Sequence, residues 1–340
     1  MRTEIATLGE FGLIDRLTKD IKLTQPTSVR GVGDDAAIIY NKDKRTLVAT
    51  DLLLEGIHFD LMYFPLKHLG YKAAVINFSD IYAMNGIPQQ ITVSLGISKR
   101  FSVEDIEEFY MGVKLACEIY NVDIIGGDPS SSLTGFTVSV TCIGIANDDA
   151  IIYRSGAKDT DLICVSGDLG AAYMGLQLLE REKAIFAGQE DFTPDFAGKE
   201  YLLERQLKPE ARKDIMEELN KLGILPTSMI DISDGLSSDM LHICSQSNVG
   251  CRIFEERLPI DYQTAMMAES FNLNVATVAL NGGDDFELLF TVPLSVYEQV
   301  KVVPGIHVIG HINDVSLESK FVTRDGQEML LQEQGWKLRD

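Results

Sequence analysis

Basic residues are scarce: 30 Lys and Arg stand against 51 Asp and Glu in 340 residues, a formal charge of −21 at neutral pH. Such a chain does not hold a nucleic-acid backbone or an anionic membrane unaided, and if its ligand carries phosphate, cations must mediate. Cysteine is sparse as well. The five, Cys117, Cys142, Cys164, Cys244 and Cys251, form no CxxC pair and mostly sit in apolar runs. That suits reduced core thiols and argues against zinc or a disulfide framework. No run of ~18 uninterrupted apolar residues occurs, and the opening MRTEIATLGEFGLIDRL has no continuous apolar core. No membrane span or signal peptide is therefore expected, and the cytoplasm is the default compartment. A Walker A loop, an EF-hand loop, an HExxH pair and a GxSxG elbow are all missing, which sets aside ordinary P-loop, calcium, zinc-hydrolase and α/β-hydrolase chemistry. A single tryptophan leaves few aromatic platforms for sugars.

What is present reads as folded protein, with 45% hydrophobic and 24% charged residues. The length suggests two domains at ~150 residues each. The polar, turn-rich NDDAIIYRSGAKDTD marks a boundary near residue 150, giving domains 1–150 and 151–340. Apolar runs with β-branched residues predict strands at Thr46–Thr50, Ile91–Ile97, Val122–Ile125, Phe136–Ile145, Leu162–Ser166, Met229–Ile232, Phe286–Val292 and His307–Ile312. Helical spacing is expected over Leu66–Met84 and Ser102–Tyr120, the latter opened by Ser102 as N-cap. A charged helical region follows at Gly198–Leu222. The class is mixed α/β.

The acids are distinguished by place. Asp34 lies in GVGDDAA, Thr50 and Asp51 at a predicted strand end, Asp128 in IIGGD, Asp231 and Asp234 in DISDG. Each stands beside glycine or a small residue, where backbone can approach a ligand and side chains can converge. Asp80 is different, because AAVINFSDIYAM predicts a largely buried helix, and a lone carboxylate there needs a cation or several donors. For Asp80 by itself a capped amide or a surface acid is as good a reading. For the set, hard divalent cations fit best, since Mg²⁺ bridges one or two carboxylates to substrate phosphates. GVGDDA matches GxGxxA, but two aspartates in the turn would repel a pyrophosphate and no convincing strand precedes it, so a Rossmann site is rejected. VSGDLGAA reads as a plain tight turn.

GVGDDAAII, ATDLLLEGIHF, GYKAAVINFSDIYAMNGIPQQITVSLGI, DIIGGD, YRSGAK, DISDGLSSDMLHI and LNGGDDFELLF, in this order from Gly31 to Phe290, closely resemble the thiamine-monophosphate kinase family. That family belongs to the superfamily of aminoimidazole ribonucleotide synthetase. The resemblance implies an N-terminal α/β domain forming a β-barrel across a homodimer interface, and a C-terminal α+β domain closing the cleft. It also implies transfer of the γ-phosphoryl group of ATP to thiamine monophosphate, assisted by several Mg²⁺ ions. By motif, Asp34, Thr50, Asp51, Asp80, Asp128, Asp231 and Asp234 would hold or orient the ions, with Asp51, Asp80 and Asp234 central to catalysis. Tyr110, Gly127, Asp128, Arg154 and Ser233 would meet ATP. Tyr110 reads equally well as a core aromatic and Arg154 as a surface arginine. His58, Asp284 and Trp336 would meet the thiamine side, although Asp284 stands where relatives commonly carry Glu. The alternatives are another ATP-dependent member of the superfamily, such as aminoimidazole ribonucleotide synthetase, or a non-catalytic acidic metal-binding module.

Overall fold

The alternation in FTVSVTCIGIA becomes a strand whose residues are buried and half-buried in strict turn, so one face meets a core and the other does not. It belongs to a computed structural model that describes residues 13, 16–30, 38–186 and 196–332. Asp34 and Trp336 therefore lie outside the described residues. The chain divides into two compact units, one of Met1–Tyr82 with Gly86–Asp149, the other of Ala83–Asn85 with Ala150–Asp340.

In the first unit β1 (Ser28–Arg30) pairs antiparallel with β2 (Ile38–Ile39). β1 ends at the residue before Gly31, so a short strand does precede GVGDDA. The main sheet is built from β3 (Arg45–Leu54), β4 (Ile87–Ile97), β5 (Asp123–Ser131) and β6 (Phe136–Ala146) in the order β3-β6-β4-β5. β4 and β5 run parallel and the other pairs antiparallel. Helices α1 (Leu66–Ala83) and α2 (Val103–Tyr120) cover one face. Ile81 of α1 packs over Gly144 of β6, and Phe109 of α2 meets Phe136 edge-on with ring centroids 5.4 Å apart. Ser102 caps α2 as its sequence implies: its hydroxyl accepts from Asp105 N–H at 3.3 Å while the Asp105 carboxylate accepts from Ser102 N–H at 2.8 Å.

The sheet is open, with β3 and β5 as its edges, so no barrel closes among the described residues. Two expectations are corrected here. Thr50 and Asp51 are not at a strand end, because β3 runs on to Leu54 against β6. Asp128 is not in a loop but within β5, whose pairing with β4 continues to Ser131.

In the second unit seven strands, β7 (Leu162–Ser166), β8 (Ser228–Asp231), β9 (Val249–Phe254), β10 (Leu288–Val292), β11 (Ile306–Asp314), β12 (Lys320–Val322) and β13 (Glu328–Leu330), take the order β13-β12-β9-β11-β7-β10-β8. Only β12 and β9 are parallel. The helices are α3 (Ala171–Phe186), α4 (Glu200–Leu207), α5 (Lys213–Lys221), α6 (Leu236–Ser247), α7 (Tyr262–Ser270), α8 (Val275–Asn281) and α9 (Tyr297–Val300). One core cluster joins Ile163, Val165, Ile230 and Leu289 of the sheet to Met240 and Ile243 of α6 and Leu280 of α8. A second gathers Ala171, Met174 and Leu178 of α3 with Leu202 and Val278. The charged region Gly198–Leu222 is two helices, not one. Pro209 offers no N–H and forces Lys208 out of the helical region, to φ −142° and ψ 64°. β10 starts two residues later than expected because Phe286 sits at φ 52°, which no strand accommodates. All five cysteines are buried and free.

Candidate functional site

In the first unit, alternation along β3 decides which residues can act together. Leu47, Ala49, Asp51 and Leu53 fall on the more buried face, whereas Val48, Thr50 and Leu52 are exposed. Asp51 lies opposite Val140, a buried residue of the helix-covered face. Asp80, half-buried on α1, belongs to the same side. Its charge helps to push the Cys142 thiol well above its ordinary range, after burial and Cys117. Thr50 points the other way. Its hydroxyl lies 3.0 Å from that of Thr141 and donates to the Val140 carbonyl at 3.1 Å. Neighbours in sequence, Thr50 and Asp51 thus project to opposite faces of the sheet.

Gly127 and Asp128 sit on the edge strand β5 opposite Val93 and Ser94. A Cβ on Gly127 would stand 2.1 Å from the Val93 carbonyl oxygen, so only glycine allows this pairing. Asp128 is exposed. His58 is exposed in the turn after β3, and its Nδ1 accepts from Leu54 N–H at 3.0 Å, which leaves the proton of the neutral ring on Nε2. Tyr110 is 8% exposed on α2 and meets Phe109 edge-on, and burial pushes its hydroxyl up to about 12. That is the environment of a core aromatic.

In the second unit the two acidic loops are laced together by their main chains. β8 ends at Asp231. Beyond it, Ile232 N–H donates to the Glu287 carbonyl, Phe286 N–H to the Ile232 carbonyl and Asp284 N–H to the Ser233 carbonyl, each at 2.8 Å. DISDG and GGDDFE therefore lie side by side, which brings Asp231, Ser233, Asp234 and Asp284 into one neighbourhood. Gly283, at φ 72°, allows the approach: a Cβ there would lie 2.8 Å from the Ser233 carbonyl oxygen. Asp231 is buried, while Ser233 and Asp234 are exposed.

Asp239, in the first turn of α6, joins this group and was not singled out from the sequence. It is 2% exposed and accepts from Ser233 N–H at 3.2 Å. Burial first, then the charges of Asp231 and Asp234, push its carboxyl up to about 8. The available signal was its position, an acid in the first turn of the helix that DISDG opens. Arg154 is exposed one residue after Tyr153, whose carbonyl accepts from Met229 N–H at 2.9 Å, so the YRSGAK segment runs beside the start of β8.

Among the described residues no three His, Cys, Asp or Glu side chains form a ready-made cation cage. The donor set nonetheless suits a hard cation. Asp231, Asp234 and Asp239 are oxygen donors close enough to repel one another, and Mg²⁺ commonly takes only one or two carboxylates, filling its shell with water and substrate phosphate.

Residues 33–146 match the family described as AIR synthase related protein, N-terminal domain. Thiamine-monophosphate kinase of Aquifex aeolicus is 35% identical over 330 residues, covering 97% of this chain and 98% of its own. A solved structure described as AaThiL complexed with AMPPCP and TMP matches with a TM-score of 0.73 at 33% identity, over 99% of this chain and 98% of that one. Thiamine-monophosphate kinase from Stenotrophomonas maltophilia gives a TM-score of 0.79 at 28% identity, over 93% and 96%. On likeness that runs through nearly the whole length of both partners, the chain belongs to the thiamine-monophosphate kinase family.

Proposed function

We propose that this chain phosphorylates thiamine monophosphate with ATP, giving thiamine diphosphate and ADP. The observation that carries the proposal is the 35% identity with a thiamine-monophosphate kinase across 97% of the chain. The acidic loops of the second unit, held side by side, supply the chemistry it requires. In the reaction an oxygen of the acceptor phosphate bonds to the γ-phosphorus as the β–γ bridging bond breaks and ADP leaves. A phosphate monoester with a second pKa near ~6 is already mostly dianionic at neutral pH, so the acceptor needs no strong base.

The difficulty is charge. One uncompensated like-charge pair at 4 Å costs about 4 kcal/mol at an effective dielectric of 20. Bound Mg²⁺ would neutralise the phosphates and the charge that develops on them in the transition state. Asp51 and Asp80 in the first unit and Asp231, Asp234 and Asp239 in the second would hold such ions. Thr50, Asp128 and Asp34 complete the proposed set, Thr50 from the opposite face of its strand. Arg154, with a planar fork suited to two oxygens, would clamp ATP phosphate, aided by Gly127 and Ser233. His58, Asp284 and Trp336 are assigned to the thiamine side. Tyr110, a buried aromatic, is left out of the ATP contacts.

A second copy of the chain would cover the open face of the four-stranded sheet. Val48 and Leu52 are 65% and 53% exposed there, apolar surface that such a copy would remove from water. No helix among the described residues is long and apolar enough to cross a membrane, and we assign the protein to the cytoplasm. The function is tested by ADP release with thiamine monophosphate, thiamine or the ribonucleotide substrate of aminoimidazole ribonucleotide synthetase as acceptor, with and without Mg²⁺. Mg²⁺-dependent turnover with the monophosphate alone is expected. Turnover only with the ribonucleotide would assign the chain to the synthetase branch of the superfamily, and cation binding without turnover would make it a metal-binding module.

A further inference from the structure

Three left-handed residues fall within four positions of the second unit: Gly283 at φ 72°, Asp284 at 59° and Phe286 at 52°. Glycine takes that region freely, but aspartate does so reluctantly and a bulky aromatic rarely. Something must hold the loop. Behind it lies a buried ionic cluster that the proposed phosphoryl transfer does not use. The Glu287 carboxylate, its side chain 2% exposed, pairs with the Arg205 guanidinium and accepts from the Arg212 guanidinium and the Ser166 hydroxyl. Asp285, 1% exposed, accepts from Gly170 N–H at 2.9 Å.

Arg205, on α4, reaches both the side chains and the main chain of the loop. Its Nη1 lies 3.0 Å from the Glu287 carboxylate, while Nη2 donates to the main-chain carbonyls of Asp168 at 3.1 Å and Asp285 at 3.4 Å. One guanidinium thus grips the left-handed loop at its backbone and at its last side chain, and ties both to the turn that follows β7. The next residue, Gln206, reaches the Asp284 carboxylate at 3.5 Å. Buried ion pairs are poor sources of stability, since apolar replacements are often as good. A fixed five-donor fork, by contrast, is well suited to fixing one backbone course.

We propose that Arg205 is a positioning residue for the acceptor half of the reaction. It holds Gly283–Glu287 in its left-handed path and so sets Asp284 beside Ser233 and the DISDG loop. This rests on the kinase reading above and on Asp284 as an acceptor contact. It assigns Arg205 no contact with either substrate.

The test is a double-variant cycle on the full chain, with kcat and KM measured separately for thiamine monophosphate and ATP. Arg205→Gln should lower kcat/KM for the acceptor by about 100-fold, the scale of a misplaced reacting group, and leave KM for ATP unchanged. Arg205→Lys, which keeps the charge and loses the fork, should recover only part of that. The central expectation is non-additivity: Arg205→Gln combined with Asp284→Asn should be no worse than Asp284→Asn alone. Multiplying losses, or equal losses toward ATP and acceptor, would overturn the inference. So would collapse of both Arg205 variants in thermal melts, which would make Arg205 a part of global stability. A wild-type chain inert toward thiamine monophosphate would overturn the kinase reading and this inference together. An active wild type with an unimpaired Asp284→Asn variant would overturn the inference alone.

Discussion

The two units carry their acids on different kinds of scaffold. In the first, Asp51 projects from within a ten-residue strand and Asp80 from the last turn of an 18-residue helix, elements whose positions are set by ladder hydrogen bonds and a packed core. In the second, Ser233, Asp234 and Asp284 stand on loops that regular hydrogen bonding does not reach. Those loops are instead laced to each other and backed by the Arg205, Arg212 and Glu287 cluster. A side chain on a strand needs no further support to keep its direction. One on a strained loop needs a second layer of residues, and that layer is long in sequence and hidden from local motifs. The comparison also separates acids proposed to hold ions from an acid that holds the fold. Asp123 in the first unit is 1% exposed, yet its carboxylate is taken up by Thr24 N–H at 2.6 Å, the Thr24 hydroxyl at 2.9 Å and Gln25 N–H at 2.9 Å.

The most severe effect is expected at Asp51. Asp51→Asn should lower turnover by about 1000-fold, as loss of a preorganised electrostatic group does, with the melting curve unchanged. A loss below about tenfold in ADP release would remove Asp51 from the machinery and weaken the contrast with Asp123. Asp123→Ala should do the reverse. Three donors lose their acceptor, so urea unfolding should show a loss of about 3 kcal/mol while the folded fraction keeps its kcat.

Arg154→Ala should raise KM for ATP by about tenfold, the worth of one charge-assisted contact, with kcat nearly intact. An unchanged ATP response would return Arg154 to the ordinary surface.

Asp285 tests the backing cluster through pH. Burial raises its carboxyl from 3.8 to about 7, against the pull of Arg205 and the Gly170 N–H. The folded state therefore favours the protonated form. The stability this contributes is fully present below about pH 4 and is lost as pH rises through about 7. Asp285→Asn, neutral at every pH, should flatten the dependence of Tm on pH between about 4 and 7 and raise Tm at pH 8 by about 3 °C relative to wild type. Parallel curves for the two proteins would refute the assignment. The smallest effect is expected at Asp148, whose ion pair with Arg45 at 2.7 Å is 63% and 67% exposed. Asp148→Asn should leave Tm and turnover unaltered, because solvent screens such pairs.

Much of the fold was legible because its determinants are local. The alternation of β6, the capping box of α2 and the strand at Leu162–Ser166 can each be read within a dozen residues. DISDG and IIGGD declared themselves through glycine beside acid. Other features had no such signature. β9 begins one residue after α6, through Asn248 at φ 55°, without the Gly or Pro that marks most turns. Asp239 carries no glycine neighbour, and its significance comes from Asp231 and Asp234 converging on it. Arg205 and Glu287 are 82 positions apart, and only packing makes them partners.

Composition, periodicity and motif order by themselves determined the charge economy, the α/β class, the reduced cysteines and the acids worth attention, because each depends on residue identity or on neighbours along the chain. Tertiary structure alone decided that Thr50 and Asp51 face opposite ways across a continuous strand, that Tyr110 is core, and that a buried guanidinium backs a left-handed loop. The physical reason is that side-chain direction and burial depend on which distant segments pack against a residue, and the local sequence does not encode that.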